Sequence, residues 1–477
     1  MANEEHWQAI REGAASWASW RAENLHVKPD LAGVNLTGAD LSVIDLEGAN
    51  LADAKLDRVN FARANLVAAD LTGASLVGAS LAEANLTSAT LKGADLTRAS
   101  LTGANLTNAT LEGARLDGGY HEDADLAGAN LVGASFVGAD LSNANFADAN
   151  LAAADLTDAS LSGANFTNAN LSEADLTGAG LAGINLTNAK LVDASLKGGY
   201  LNGADLKEAD LTNANLAGAS LVGAHLEGAK LLNVNLTGAD LTGAYLVVAD
   251  LTNADLAGAD LTKATLLGAS LTDANLQDAV LIDAKLGGAH LGEANFTSAN
   301  LRGADFSSAE LYGASLARAD LTGASLTQAY LGGANLEGAN LSSVCLERAR
   351  LIGARLVGTN LTNANLKKAD LTGAYLSRAD LSNASLTGAT LLKADLTNAN
   401  LTNANLQEAD LSKAQLWGGN LAGANLAGAN LAGARLLKAD LGNANFDGAH
   451  LDGVALLKAD LANANLNATQ LEGLFVI

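Results

Sequence analysis

The chain has 477 residues, with 52 Asp and Glu against 28 Lys and Arg, and a formal net charge of -24 at pH 7. Such an acidic balance excludes binding to free nucleic acid or to an anionic membrane as a main activity. No uninterrupted apolar run approaches the 18 residues of a transmembrane helix, and a lone cysteine, Cys345, excludes an intramolecular disulfide framework and points to a cytoplasmic protein.

Residues 1–30 form the first element. Trp7, Ile10, Ala14 and Trp17 fall at helical spacing, Asn3 stands where it can cap, and Glu4 and Glu5 occupy the first turn. The pattern predicts one short amphipathic helix that caps whatever follows. A helix lying on a membrane surface is the alternative, but Glu4, Glu5, Arg11, Glu12, Arg21 and Glu23 put both signs on its polar side. The segment also lacks the continuous apolar core of a signal peptide.

From Leu31 to Leu471 every fifth residue is Leu or Phe, apart from His121: 89 centres, of which 81 are Leu and 7 are Phe. The residue two before a centre is Ala in 76 of the 89, and the one just before it is most often Asn or Asp. A five-residue step on an α-helix turns about 500°, so the centres would smear around its surface. On a flat strand an odd period sends alternate centres to opposite faces. The remaining solution is a chain that turns a corner in every repeat, so that each short extended segment points its centre inward with the Ala two residues earlier beside it. The other three positions of the repeat face solvent.

Units such as Ala39-Asp40-Leu41-Ser42-Val43 and Ala104-Asn105-Leu106-Thr107-Asn108 resemble the pentapeptide repeat family. The resemblance implies an all-β fold, a right-handed quadrilateral parallel β-helix (a solenoid) with four repeats per coil. The expectation is therefore a single repeat domain over 31–477 of about 22 coils, on the order of 105 Å long at about 4.8 Å per coil, behind a short N-terminal capping α-helix in 1–30. The sequence supports a 20-residue coil by itself: Phe146, Phe166, Phe306 and Phe446 are separated by multiples of 20, and Gly118-Gly119-Tyr120 recurs as Gly198-Gly199-Tyr200.

With a 20-residue coil, the outward charges from Asp30 onward divide among four walls. They sum to -9 around Leu31 and Leu51, +1 around Leu36 and Leu56, -9 around Leu41 and Phe61, and -6 around Leu46 and Leu66. Asp240, Asp260, Asp320 and Asp380 lie on an acidic wall, and the neutral wall turns basic near its end through Arg435, Lys438 and Lys458. With the outward Trp417 these three make a candidate contact patch. Tyr245, Tyr330 and Tyr375 are expected to be scattered surface residues. The apolar tail Leu474, Phe475, Val476 and Ile477 follows the last repeat and is a candidate dimer end.

No catalytic constellation, phosphate-binding loop or metal-ligand spacing occurs, so neither enzyme activity nor a cofactor is expected. The aspartates do not have the spacing of calcium loops. Cys345 precedes a centre and should face outward, and His121 should be either buried or swung out in a local bulge. The expected function is a non-enzymatic rod that serves as a scaffold or protein-interaction surface for an unidentified partner. The resemblance implies a rival: some members of the family mimic DNA, bind type II topoisomerases (DNA gyrase or topoisomerase IV) and pair through their C-terminal ends. Against a full-length mimic, DNA carries one negative charge per about 1.7 Å, whereas 23 net charges over roughly 105 Å give about one per 4.6 Å.

Overall fold

The structure, a computed structural model, describes residues 3–456 and 475–476. The repeats divide into two compact units, Met1–Asp240 and Leu241–Ile477. Both are built in the same way.

One repeat suffices to explain the construction. In Ala379-Asp380-Leu381-Ser382-Asn383 the Leu381 amide donates to the Asn400 carbonyl at 2.7 Å and the Asn383 amide to Thr402 at 2.9 Å, both in the following coil. The Ala384 amide turns back onto the Leu381 carbonyl at 3.0 Å, and the Ser385 amide reaches the Ala364 carbonyl of the preceding coil at 2.8 Å. The turn is closed by Asn383, at φ 59°. A left-handed third residue behind such a bond is the arrangement of a type II turn, which explains why Gly, Asn and Asp dominate that position. Every backbone N–H of the repeat then has a backbone acceptor except that of Ser382, and the Asp380 Oδ1 accepts it at 2.9 Å. The preference for Asn or Asp before each centre therefore follows from the hydrogen-bond accounting of the repeat.

Coils pair in parallel and in register at a spacing of 20 residues, through four bridging positions per coil, as in Asp30↔Asn50, Asn35↔Lys55, Asp40↔Asn60 and Asp45↔Asn65. The same register ends in β1 (Ala455–Leu456) pairing with β2 (Phe475–Val476). A ladder of side chains runs beside the backbone: the Asn400 amide donates to Asp380 at 3.0 Å, Asn340 to Asp320 at 3.0 Å and Asn360 to Asn340 at 2.9 Å. Inside, the centres and the alanines are almost wholly inaccessible, and each buried Leu contributes about 2 kcal/mol of apolar transfer energy. Phe146 and Phe166, one coil apart, stack with ring centroids 4.5 Å apart, as the spacing predicts.

The N-terminal segment differs from expectation. It forms two helices, α1 (Glu4–Arg11) and α2 (Ala14–Glu23), broken at Gly13, whose φ of 105° no helix accommodates. As a result Ile10 and Trp17 are buried but Ala14 is exposed, so the predicted stripe does not survive intact. Capping itself is observed, and its chemistry is specific. The first coil has no predecessor to supply its hydrogen bonds, and side chains take that place. The Trp17 indole donates to the Asp45 carbonyl at 2.7 Å and the Arg21 guanidinium to the Glu47 carbonyl at 3.2 Å, while His6 Nδ1 accepts from the Asp30 amide at 2.8 Å. The Asn3 amide adds a bond to the Asp30 carbonyl at 2.9 Å, so the cap serves the corners at Asp30 and at Asp45–Glu47. Arg21 is buried, bound also to the Asp45 carboxylate at 2.9 Å. Pro29 fills the first alanine slot and is buried there.

Candidate interaction surface

The candidate acidic wall is built from carboxylates engaged in the fold. Asp260 accepts from the Thr262 amide at 2.8 Å, and Asp320 accepts from the Thr322 amide at 3.1 Å and from Asn340. Asp380 is held in the same way by Ser382 and Asn400. Asp240 belongs to the N-terminal unit and the other three to the C-terminal unit.

Of the candidate contact patch, Trp417 and Lys438 come together, the ammonium 5.3 Å from the ring centroid, and Trp417 is half exposed. Arg435 bridges to Gln415 and Ala455 on the same wall. Lys458 lies outside the described residues, as do Leu474 and Ile477 of the candidate dimer end; Phe475 and Val476 are described only as the backbone of β2.

Tyr245 and Tyr375 are exposed, as expected, but Tyr330 is not an isolated surface residue. Tyr330 is part of a cluster with Tyr312, Ile352 and Arg350, which surrounds a surface cleft of about 320 Å³ over Gly332. The Arg350 guanidinium lies 5.0 Å from the centre of the Tyr330 ring. The 40-residue spacing of Tyr312 and Ile352, two coils with Gly332 midway, carries the signal in the sequence, but it becomes meaningful only once coils are stacked.

His121 is inside. The ladder runs through Ser100↔Tyr120 and Tyr120↔Asp140 without a bulge, and the ring is fully buried with Nε2 at 3.1 Å from the Leu116 carbonyl. Nδ1 has no partner. Burial pushes the imidazole down to about 4, against the opposing pull of the Leu116 and Tyr120 backbone and of Asp140. The room for the ring comes from Gly119, where a Cβ would stand 2.5 Å from Cε1 of the ring. Outside the same coil, Asp140 raises the carboxyl of Glu122 above its ordinary value.

Cys345 is half-buried, with the Thr327 hydroxyl 3.2 Å and the Asn365 amide 3.7 Å from Sγ. Among the described residues no cluster of His, Cys, Asp and Glu is arranged to hold a metal, and no helix is long and apolar enough to cross a membrane.

Overlapping matches to the sequence model described as Pentapeptide repeats run from residue 30 to residue 473. No curated protein matches the chain. Among solved structures, the chain is similar to HetL, a pentapeptide repeat protein involved in heterocyst differentiation regulation from the cyanobacterium Nostoc sp. strain PCC 7120, at 39% identity over 42% of this chain and 86% of that one, with a TM-score of 0.27. A pentapeptide repeat protein of the Arabidopsis thaliana thylakoid lumen is 32% identical over 25% of this chain and 72% of its own, with a TM-score of 0.15. QnrB1, a plasmid-mediated fluoroquinolone resistance protein, is 20% identical over 38% of this chain and 86% of its own, with a TM-score of 0.25.

Proposed function

We propose a function from the premise that the chain belongs to the pentapeptide repeat family, whose members fold as right-handed β-helices. Within each unit we infer a square cross-section, one wall for each of the four bridging positions of a coil. The function proposed is a non-enzymatic one: a scaffold whose walls present side chains to a protein partner, with the cytoplasm as its compartment. What carries this reading is the way the polar residues are spent. The interior is filled by Leu and Ala, and the wall carboxylates serve the turns that hold the coil, leaving binding to the residues that project between them.

A second reading, DNA mimicry toward DNA gyrase or topoisomerase IV, draws on the net charge of -24 and its concentration on two walls. Against it stand the basic residues that interrupt every wall. A tail-to-tail dimer through Leu474, Phe475, Val476 and Ile477 would accompany this second reading. Supercoiling by purified gyrase, measured at several salt concentrations with the full chain and with a truncation ending at Asp460, separates the two. The scaffold reading expects no inhibition at micromolar protein. Inhibition that weakens with salt and disappears on truncation would replace it with mimicry and the dimer.

A further inference from the structure

The strongly acidic chain contains two stretches with the opposite balance, residues 411–439 with Lys413, Arg435 and Lys438 and no acid, and a longer one in 341–378. Between residues 341 and 378 stand Arg348, Arg350, Arg355, Lys367, Lys368 and Arg378 against only Glu347 and Asp370. At its edge lies the cleft over Gly332. Two columns of outward side chains build that cleft across three consecutive coils: Glu310, Tyr330 and Arg350 in one, joined by the bridges Glu310↔Tyr330 and Tyr330↔Arg350, and Tyr312, Gly332 and Ile352 in the other. Glycine leaves the middle of this grid empty. The walls of the gap are apolar and open, with Tyr312 67% and Ile352 50% exposed. Its ends are of opposite sign: Arg350 lies over the Tyr330 ring, while Glu310 two coils away is bound to His290 at 2.9 Å. Two coil spacings separate the charges by about 10 Å.

We propose that this cleft, resting on the reading of the chain as an interaction protein, is a docking site for an extended acidic segment of a partner protein, which places one apolar side chain over Gly332 and its carboxylates beside Arg350. Charge complementarity selects the occupant. An acidic segment is repelled by most of this chain and attracted to the corner beside Arg350, where Arg348 and Lys368 stand one coil apart at neighbouring turn positions, at φ 58° and 56°; the carboxylate next to Arg350 in its column, Asp370, is engaged by the Thr372 amide and hydroxyl. A guanidinium stacked on a ring keeps its N–H edge for a carboxylate, and an aromatic-lined gap beside it takes an apolar anchor. Glu310 fixes the direction, because the acidic end of the segment is driven toward Arg350 and away from it.

The test uses the full chain and a fluorescently labelled peptide, Gly-Glu-Glu-Phe-Ser-Gly, read by fluorescence anisotropy at low salt. Gly332→Leu fills the gap at little risk to the fold, since a Cβ at Gly332 meets nothing nearer than the Tyr312 ring at 3.7 Å and other residues of its column are large. Binding is expected to fall at least tenfold in Gly332→Leu and in Arg350→Glu, to persist in Tyr200→Ala, an exposed aromatic far from the cleft in sequence, and to be absent for the peptide in which Lys-Lys replaces Glu-Glu. Equal binding by Gly332→Leu, or equal binding of the basic peptide, would overturn the proposal, as would no binding of the acidic peptide at millimolar concentration. Concentration-dependent self-association of the chain that Gly332→Leu abolishes would also overturn it, by making a second copy the occupant. The gyrase assay reads the charge of whole walls and is indifferent to Gly332, so the two readings fail separately.

Discussion

Lowering the pH from 7 to 5 should loosen the coil around His121, and the size of the effect follows from the burial of one ring. The folded chain holds His121 neutral, with its titration moved from 6.5 down to about 4. In an opened coil the ring meets water and titrates near 6.5. Between these limits the open form binds the extra proton, so stability rises with pH, is fully present above about 6.5 and is lost as the pH falls toward 4. A separation of roughly 2.5 pH units amounts to about 3 kcal/mol at the acid limit, and about 2 kcal/mol of that is already lost at pH 5, a roughly 20-fold rise in the opened population. Hydrogen exchange of peptides covering residues 111–131, corrected for the intrinsic pH dependence of exchange, reads this population. His121→Leu restores the usual centre and should remove the extra opening at pH 5. Glu122 and Asp140 titrate in both proteins, so the difference between them reports the imidazole. The same pH trend in wild type and His121→Leu would refute the reasoning.

Other substitutions probe the construction elsewhere. Gly119→Ala puts a methyl group into the His121 ring, so it should destabilise wild type by about 1–3 kcal/mol and cost less in the His121→Leu background; equal costs in a double-mutant cycle would contradict the packing. Val248 holds a left-handed φ of 51° with an exposed side chain, and Val248→Gly should raise thermal stability by about 1 kcal/mol by removing that strain. Trp17→Phe keeps most of the apolar bulk of the cap but leaves the Asp45 carbonyl without its donor, which should cost about 1–2 kcal/mol locally and speed exchange in the first coil alone. Asn400→Asp removes the donor that bridges to Asp380 and sets two carboxylates against each other, so it should lower the melting temperature at pH 7, and by less in 1 M salt than at low salt.

Much of this architecture was legible in the sequence because the period of five leaves few solutions. The inward pairing of Ala with each centre, the 20-residue coil and the stacking of Phe146 on Phe166 all follow from spacing. The Asn and Asp before each centre were legible as pattern but not as purpose: solvent exposure accounts for a polar residue, whereas only the backbone geometry reveals that one N–H per repeat lacks a main-chain acceptor. The helix break at Gly13 was hidden because an isolated glycine is tolerated in many helices. His6 and Arg21 gave no signal at all, since their role is to stand in for a coil that does not exist. The cleft over Gly332 is hidden in the sequence for a related reason, since its lining residues stand 20 or 40 positions apart and meet only when coils stack.

The central claim is that the aspartates of the walls are turn acceptors first and charges second. Thermal unfolding of two triple variants at Asp260, Asp320 and Asp380 tests it most directly, one with all three changed to Asn and one with all three changed to Ala. Asn keeps the Oδ1 acceptor and removes the charge, so the account predicts that the Asn variant melts at or above the wild-type temperature. The Ala variant should lose about 0.5–1.5 kcal/mol per site. Equal destabilisation of both variants, or stability unchanged in the Ala variant, would contradict it.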